Sequence, residues 1–176
     1  MCIVTEHARL RRDYNTLKAE NDKVVAQMME LTKSPPMPVT DLLKIDRNEY
    51  LKKLLTFGIT PVGDDDPLDS WVSLASMAEL ERLAPDICYP ADWYVTSIFD
   101  CENYAAQAEN DAARFFHVSG ICRVLGDMPL GYHGFVATLD KDNLELWILE
   151  PNAGFDYSGG WCRPGEIDYK PKKIYI

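Results

Sequence analysis

Residues 99–116, which read FDCENYAAQAENDAARFF, decide how the rest of the chain can be arranged. Asp100 is a good N-cap, so the sequence predicts a helix from Cys101 to Phe116. Positions 101, 105, 108 and 112 share one face of this helix and are all small, which allows another element to pack closely against it. Cys101 falls in the first turn, where the positive end of the helix dipole favours a thiolate. A buried, inert cysteine is the alternative.

Helical patterns precede this segment and strand patterns follow it. Residues 41–57, with Asp41 as N-cap, have a helical pattern, and so do residues 73–83, where Ser76 and Glu79 have capping-box spacing. After Gly120 the pattern changes to four short strand-like runs, at 121–125, 133–139, 144–149 and 173–176. This order predicts an α+β domain with helices packed on a small antiparallel sheet.

Two of these runs form a predicted hairpin. Alternate residues from His133 to Leu139 and from Leu144 to Glu150 share one face of it. If the loop has two or four residues centred between 141 and 142, His133 lies directly opposite Glu150, within reach of a carboxylate–imidazole hydrogen bond. A three-residue loop would place Pro151 opposite His133 instead.

These positions hold the ingredients of a thiol-based site. A helix-start cysteine, a strand histidine and an acid on the next strand suit a nucleophile, its general base and its orienting group. The sequence therefore predicts Cys101, His133 and Glu150 as catalytic residues, with Asn152 as the alternative third member. Of the other histidines, His7 falls in an N-terminal helix and His117 is placed to cap the helix that begins at Cys101. Four aromatic residues are candidates for cleft walls or for core: Trp93, Tyr94, Tyr132 and Trp161.

The first 33 residues have a heptad pattern. One series recurs every seven residues, and a second lies three residues ahead of it: Ile3, Leu10, Leu17, Val24 and Leu31, with His7, Tyr14, Asn21 and Met28. With the second series at a and the first at d, residues 1–33 are predicted to form a parallel coiled-coil dimer. In this register Glu6 faces Arg11 of the partner helix, and Asp13 faces Lys18. A trimer, or a single amphipathic helix on its own domain, are the alternatives.

Three prolines at 35, 36 and 38 end that helix, so residues 34–40 are predicted to be a stiff linker and residues 41–176 a globular body. The chain has a net charge of -10, and residues 34–176 hold 12 basic against 23 acidic residues. This charge disfavours binding to nucleic acid and to anionic membranes. Five cysteines without CxxC spacing, and no secretory segment, favour a cytoplasmic protein with reduced thiols.

The segments FDCENYA, GYHGFVATL and LWILEPNAG, at 99–105, 131–139 and 146–154, resemble the papain-like and transglutaminase-like cysteine hydrolases. They are most similar to the C-terminal cysteine-protease domain of a mushroom agglutinin and to related phage-type domains. The resemblance implies a cysteine peptidase or amidase with a thioester intermediate, in which Cys101 is the nucleophile, His133 the base and Glu150 the orienting acid. Capture of the thioester by an amine would make a transglutaminase instead.

The resemblance also bears on cofactors and location. Where that group often has acidic residues after the cysteine, this chain has Glu102 and then Asn103, which departs from the carboxylate cluster on which calcium dependence in that group rests. We expect that no cofactor is required. Calcium is compatible with the acidic loop of Asp64, Asp65 and Asp66, although this loop lacks the spacing of an EF-hand. The rival interpretation is a non-catalytic assembly or binding module that retains the fold. A phage origin, which the resemblance allows, would place the protein in the host cytoplasm or the virion.

Overall fold

The computed structural model describes residues 15–18, 20, 21, 23, 36–63 and 70–176, and it divides the chain into the units Met1–Pro35 and Pro36–Ile176. The described residues of the first unit are helical, and they include the heptad positions Leu17 and Asn21. The other heptad positions lie outside the described residues, so the coiled coil and its partner stay predictions. At the end of the predicted linker, the backbone N–H of Val39 donates to the carbonyl of Phe116 at 3.1 Å.

The second unit contains seven strands and three α-helices among the residues described. In chain order they are β1 Leu43–Asp46, α1 Arg47–Thr56, β2 Thr60–Val62, β3 Trp71–Leu74, α2 Met77–Leu83, α3 Cys101–Phe116, β4 Cys122–Met128, β5 Gly131–Leu139, β6 Leu146–Leu149 and β7 Lys170–Tyr175. Two short 3-10 helices, Ala84–Ile87 and Ala91–Trp93, precede α3. Five strands form a sheet in the order β2-β7-β4-β5-β6, and β1 pairs with β3 in a second sheet.

The predicted α+β class is confirmed. The large sheet is antiparallel between β7 and β6, while β2 runs parallel to β7. Alternate residues of β5 belong to different core clusters, because successive side chains of a strand point to opposite faces. Val136 lies in the cluster that contains the buried face of α3, whereas Phe135 lies in the cluster that contains α1. The sheet is therefore covered by helices on both faces. No helix among the residues described is long and apolar enough to span a bilayer.

Two predicted helices begin later than expected. The first begins at Arg47, and Asp46 rather than Asp41 is its N-cap, accepting hydrogen bonds from the backbone N–H groups of Asn48 and Glu49. Residues 43–46 instead form β1, because pairing with β3 outweighs their helical pattern. The second begins at Met77, with Ser76 as N-cap, and residues 71–74 ahead of it form β3. The predicted helix from Cys101 to Phe116 has the expected bounds.

The predicted register of the β5–β6 hairpin is wrong by two residues. Leu139 pairs with Leu146, so the loop contains residues 140–145. The cause is Asp140, a side chain only 2% exposed. Its carboxylate accepts four hydrogen bonds, from the backbone N–H groups of residues 142, 143 and 145 and from Trp147 Nε1, at 2.7–3.1 Å. A shift of two residues preserves the faces of a strand, so His133 and Glu150 stay on one face as diagonal neighbours.

Asp140 is therefore expected to be a major source of stability. Asp140→Ala leaves four donors of this loop without their acceptor, so we expect the free energy of unfolding to fall by about 3 kcal/mol or more. Asp142→Ala, in the same loop but at an exposed position, is the matched control and should change little. Urea denaturation of both variants measures the difference, and equal losses of stability would contradict this role of Asp140.

Candidate functional site

Cys101 is fixed at the beginning of α3 by a capping box. The Asp100 carboxylate accepts a hydrogen bond from the backbone N–H of Glu102 at 3.3 Å, and the Asn103 side-chain oxygen accepts one from the backbone N–H of Asp100 at 3.1 Å. These reciprocal bonds define where the helix starts. Cys101 consequently lies in the first turn, as predicted, with its side chain partly exposed.

The beginning of α3 lies directly against β5. Ala105, Ala108 and Ala112 form a fully buried face of the helix, as the sequence predicts. On the strand, a Cβ atom added to Gly134 would lie 3.0 Å from the carbonyl oxygen of Cys101. A side chain at position 134 would therefore push the helix away from the strand. The close approach places the thiol of Cys101 where the backbone N–H of Gly134 and the side chain of His133 both lower its pKa.

His133 and Glu150 form a buried hydrogen-bonded pair. Nε2 of His133 lies 2.7 Å from Oε2 of Glu150, and the two residues are 6% and 1% exposed. With Nε2 bound to the carboxylate, Nδ1 is the ring nitrogen left for the hydrogen bond with Cys101. Phe155 packs on the imidazole with 4.9 Å between ring centroids. The structure thus brings together all three predicted catalytic residues, in the order Cys101, His133, Glu150.

Two further groups hold the Glu150 carboxylate. The Tyr169 hydroxyl donates to Oε2 at 3.0 Å, and the backbone N–H of Asn152 donates to Oε1 at 2.9 Å. The side chain of Asn152, the predicted alternative third member, instead accepts a hydrogen bond from the backbone N–H of Gly154. Tyr169 is not predictable from the sequence, because no spacing or motif connects a residue ahead of β7 with one that follows β6.

The contacts among Cys101, His133 and Glu150 shift the pKa values of the thiol and the imidazole in opposite directions. The hydrogen bond with His133 is the largest influence on the Cys101 thiol and lowers its pKa below the usual 9, against partial burial. Burial acts to lower the pKa of His133, but its hydrogen bonds to Cys101 and Glu150 outweigh this and raise the pKa to about 9. Both shifts favour the form of the pair in which a thiolate lies beside an imidazolium.

The other cysteines of the described part of the chain differ from Cys101. Burial raises the pKa of Cys88 to about 11, and it also raises the pKa values of Cys122 and Cys162. Cys2 lies outside the described residues. Among the cysteines described, a pKa below the usual thiol value belongs to Cys101, which distinguishes it from an inert buried cysteine.

A cleft of about 390 Å³ opens above Cys101 and His133. Its walls are formed by residues from four parts of the chain: Ala91, Tyr94, Cys101, Tyr132, His133, Asn152, Gly154 and Phe155. Two of the four predicted wall residues, Tyr94 and Tyr132, line it and are 46% and 54% exposed. The other two support the fold, since Trp93 stacks on Tyr89 at 5.3 Å and Trp161 Nε1 donates to the carbonyl of Leu80 at 2.8 Å.

Two other predictions concern acids and a histidine away from the cleft. Asp64, Asp65 and Asp66, the candidate calcium loop, lie outside the described residues. Within the part of the chain that is described, no group of three or more His, Cys, Asp or Glu side chains is arranged to hold a metal ion. His117 takes the left-handed conformation that ends α3, as its predicted capping role requires.

Comparison with solved structures identifies the fold. A complex of the lectin PSL1a with E64 is 14% identical and superposes with a TM-score of 0.55 over 76% of this chain and 51% of that chain. A structure of Polyporus squamosus lectin bound to the sialylated trisaccharide Neu5Aca2-6Galb1-4GlcNAc has the same identity and TM-score, over 76% of this chain and 50% of that chain. The chain therefore spans about half the length of these neighbours. No family model and no curated protein matches the sequence.

These neighbours correct the family assignment made from the sequence motifs. Both are structures of a lectin, and neither represents the papain-like or transglutaminase-like hydrolases that the motifs resemble. The assignment to that superfamily is overturned, and with it the main function inferred from it, a cysteine peptidase or amidase. At 14% identity, the likeness to these neighbours extends to the fold alone.

The geometry predicts selective alkylation of Cys101. With trace iodoacetamide, Cys101 should label faster than Cys88 and Cys162 at neutral pH, and its rate should reach half of its maximum at a lower pH than that of free cysteine. His133→Ala should remove this lead, because the hydrogen bond that lowers the thiol pKa is lost. Peptide mapping provides the rates, with Cys162 as the internal control. Equal labelling of Cys101 and Cys162 would contradict the prediction.

Proposed function

We propose that residues 36–176 form a ligand-binding module whose site is the cleft above Cys101 and His133, and that the Cys101 thiolate makes the central contact with the ligand. One observation carries the proposal. The described cysteine with the lowered pKa is also the one that lines this cleft. A thiolate beside an imidazolium suits a ligand with an electrophilic carbon, because it supplies a nucleophile and a proton together.

Each member of the site has a distinct role in this proposal. The Sγ atom of Cys101 bonds to the electrophilic carbon of the ligand, the carbon–oxygen bond at that carbon opens, and the oxygen, which stays attached to the ligand, takes the proton from His133. Glu150 orients the imidazole and stabilises its charged form, as a buried carboxylate bound to a histidine does. The product of this step is a covalent adduct on Cys101, so the module captures its ligand.

The charge around the cleft selects against anionic ligands. Asp100 opposes the formation of the Cys101 thiolate, and Glu102 follows it in the same turn of α3. Residues 34–176 as a whole hold 12 basic against 23 acidic residues. We therefore infer a neutral or cationic ligand, and neither nucleic acid nor an anionic membrane as a partner.

The compound E64 is a suitable probe, because a neighbour with this fold has been seen in complex with it. E64 is an epoxide: attack by a thiolate forms a carbon–sulfur bond and opens the ring, and the resulting alkoxide takes a proton. We expect wild-type protein to gain one E64 on Cys101 and Cys101→Ser to gain none. Intact-mass and peptide mass spectrometry measure both.

Two variants make this experiment decisive. Glu150→Gln keeps the shape of the side chain but removes its charge, and should slow adduct formation about tenfold, the lower end of the effect when a carboxylate that supports a metal-bound histidine is lost. The matched control is Glu145→Gln. Glu145 lies in the β5–β6 loop and forms an ion pair with Arg163, so this variant should react like wild type. Adduct on Cys162 or Cys88 at the same rate as on Cys101 would refute the proposed site.

A second candidate ligand is a neutral carbohydrate, favoured by two half-exposed aromatic walls. Tyr94 and Tyr132 both line the cleft, and aromatic rings provide an apolar surface with a polar edge for a sugar. A lectin with this fold binds a trisaccharide, although the matched region is half of that chain. Titration with N-acetyllactosamine, followed by NMR, should perturb the cleft residues of wild type and not those of Tyr132→Ala. An unperturbed wild-type spectrum would exclude this candidate.

The predicted coiled coil would make the module multivalent. A parallel dimer through residues 1–33 places two clefts in one particle, which raises the apparent affinity for a ligand presented in many copies.

A further inference from the structure

We propose that Tyr169 is a positioning residue of the Cys101–His133 pair and that it acts through the Glu150 carboxylate. The inference rests on the proposed function, since it concerns the reactivity of the same pair. Tyr169 precedes β7 and lies outside the cleft lining, so it touches no ligand in this proposal.

The hydrogen bonds of Glu150 carry the argument. Oε2 lies 2.7 Å from Nε2 of His133 and also accepts from the Tyr169 hydroxyl at 3.0 Å. Oε1 accepts from the backbone N–H of Asn152 at 2.9 Å. Each carboxylate oxygen is therefore held by a donor other than His133, and the carboxylate cannot rotate away from the imidazole without breaking one of these bonds. Buried carboxylates that orient a histidine depend on such supporting donors.

The ring of Tyr169 is itself held in place. Tyr169 is 2% exposed, and its ring packs edge-on against His133 at 5.9 Å and tilted against Phe135 at 5.2 Å. Phe135 lies two residues beyond His133 on β5, so both ring contacts are with the same face of that strand. The hydroxyl therefore has a fixed position relative to Glu150.

Gly126 allows the start of β7, and with it Tyr169, to lie close to His133 and Glu150. On β4, Gly126 pairs with His133 of β5 on one side and with Pro171 of β7 on the other, where the β4–β7 register shifts. A Cβ atom at Gly126 would lie 2.2 Å from the carbonyl oxygen of Lys170. Any side chain there would displace the start of β7, and Tyr169 directly precedes that start. The glycine is needed for close approach of the two backbones.

The surrounding titratable groups are compatible with this role. The Cys88 thiol lies 3.5 Å from the carbonyl oxygen of Glu150, and Tyr157 lies 6.4 Å from the ring of Tyr169. Burial, and then the charge of Glu150, raise the pKa of Tyr169 far above its usual value. The hydroxyl thus remains a hydrogen-bond donor at every pH at which the thiolate–imidazolium pair exists.

The test is the pKa of His133 in Tyr169→Phe, measured by NMR of the imidazole. The variant keeps the ring and removes the hydroxyl, so we expect the pKa to fall from about 9 towards its usual value, because Glu150 is no longer held against Nε2. Alkylation of Cys101 at neutral pH should slow about tenfold. Tyr157→Phe, which removes the hydroxyl of the half-exposed tyrosine beside it, is the matched control and should change neither quantity.

A double-mutant cycle separates positioning from packing. In the Glu150→Gln background, Tyr169→Phe should shift the His133 pKa no further, since the acceptor through which it acts has changed. A further shift of equal size, or an unchanged or higher His133 pKa in the single variant, would overturn the inference. If wild-type Cys101 proves unreactive while the His133 pKa still falls in Tyr169→Phe, the positioning role stands and the proposed function fails. Glu150→Gln alone provides a second variant, with a lowered His133 pKa expected.

Discussion

The hydrogen bond between His133 and Glu150 is the interaction on which the site depends. It joins two almost fully buried side chains at 2.7 Å, and removing either partner would deprive the other of a buried hydrogen bond. Because Glu150 fixes Nε2 of the ring, the opposite nitrogen is left for Cys101. The hydrogen bond with His133 is the largest influence that lowers the pKa of this thiol.

Two glycines allow the close backbone packing that these contacts require. Gly134 lets the first turn of α3 approach β5, which brings the thiol to the imidazole. Gly126 lets β7 approach β4, so that Tyr169 reaches the carboxylate from the other side. At both positions a Cβ atom would meet the backbone of the neighbouring element, and a backbone cannot move aside as a flexible side chain can. The geometry of the site is thus set by the main chain of four elements.

The sequence predicts the local features of this arrangement well and the distant ones poorly. The bounds of α3, its cap at Asp100 and its small-residue face follow from spacing alone. The meeting of His133 with Glu150 was predicted from an incorrect register, and it survives because the error of two residues preserves strand faces. Asp140 determines the length of the β5–β6 loop through hydrogen bonds that the sequence pattern does not reveal. Tyr169 lies just ahead of β7, and the alternation of residues in β5 and β6 does not predict its contact with Glu150. The motifs also suggested a hydrolase family that the structural neighbours do not support.

The central claim, that Cys101 is a thiolate held by His133 and Glu150, is tested most directly by the ultraviolet absorbance of the thiolate. The spectrum of Cys101→Ser subtracted from that of the wild type isolates this one thiol across a pH titration. We predict a thiolate signal whose midpoint lies below that of free cysteine and rises in Glu150→Gln. A difference signal that appears only where an ordinary thiol titrates would contradict the account.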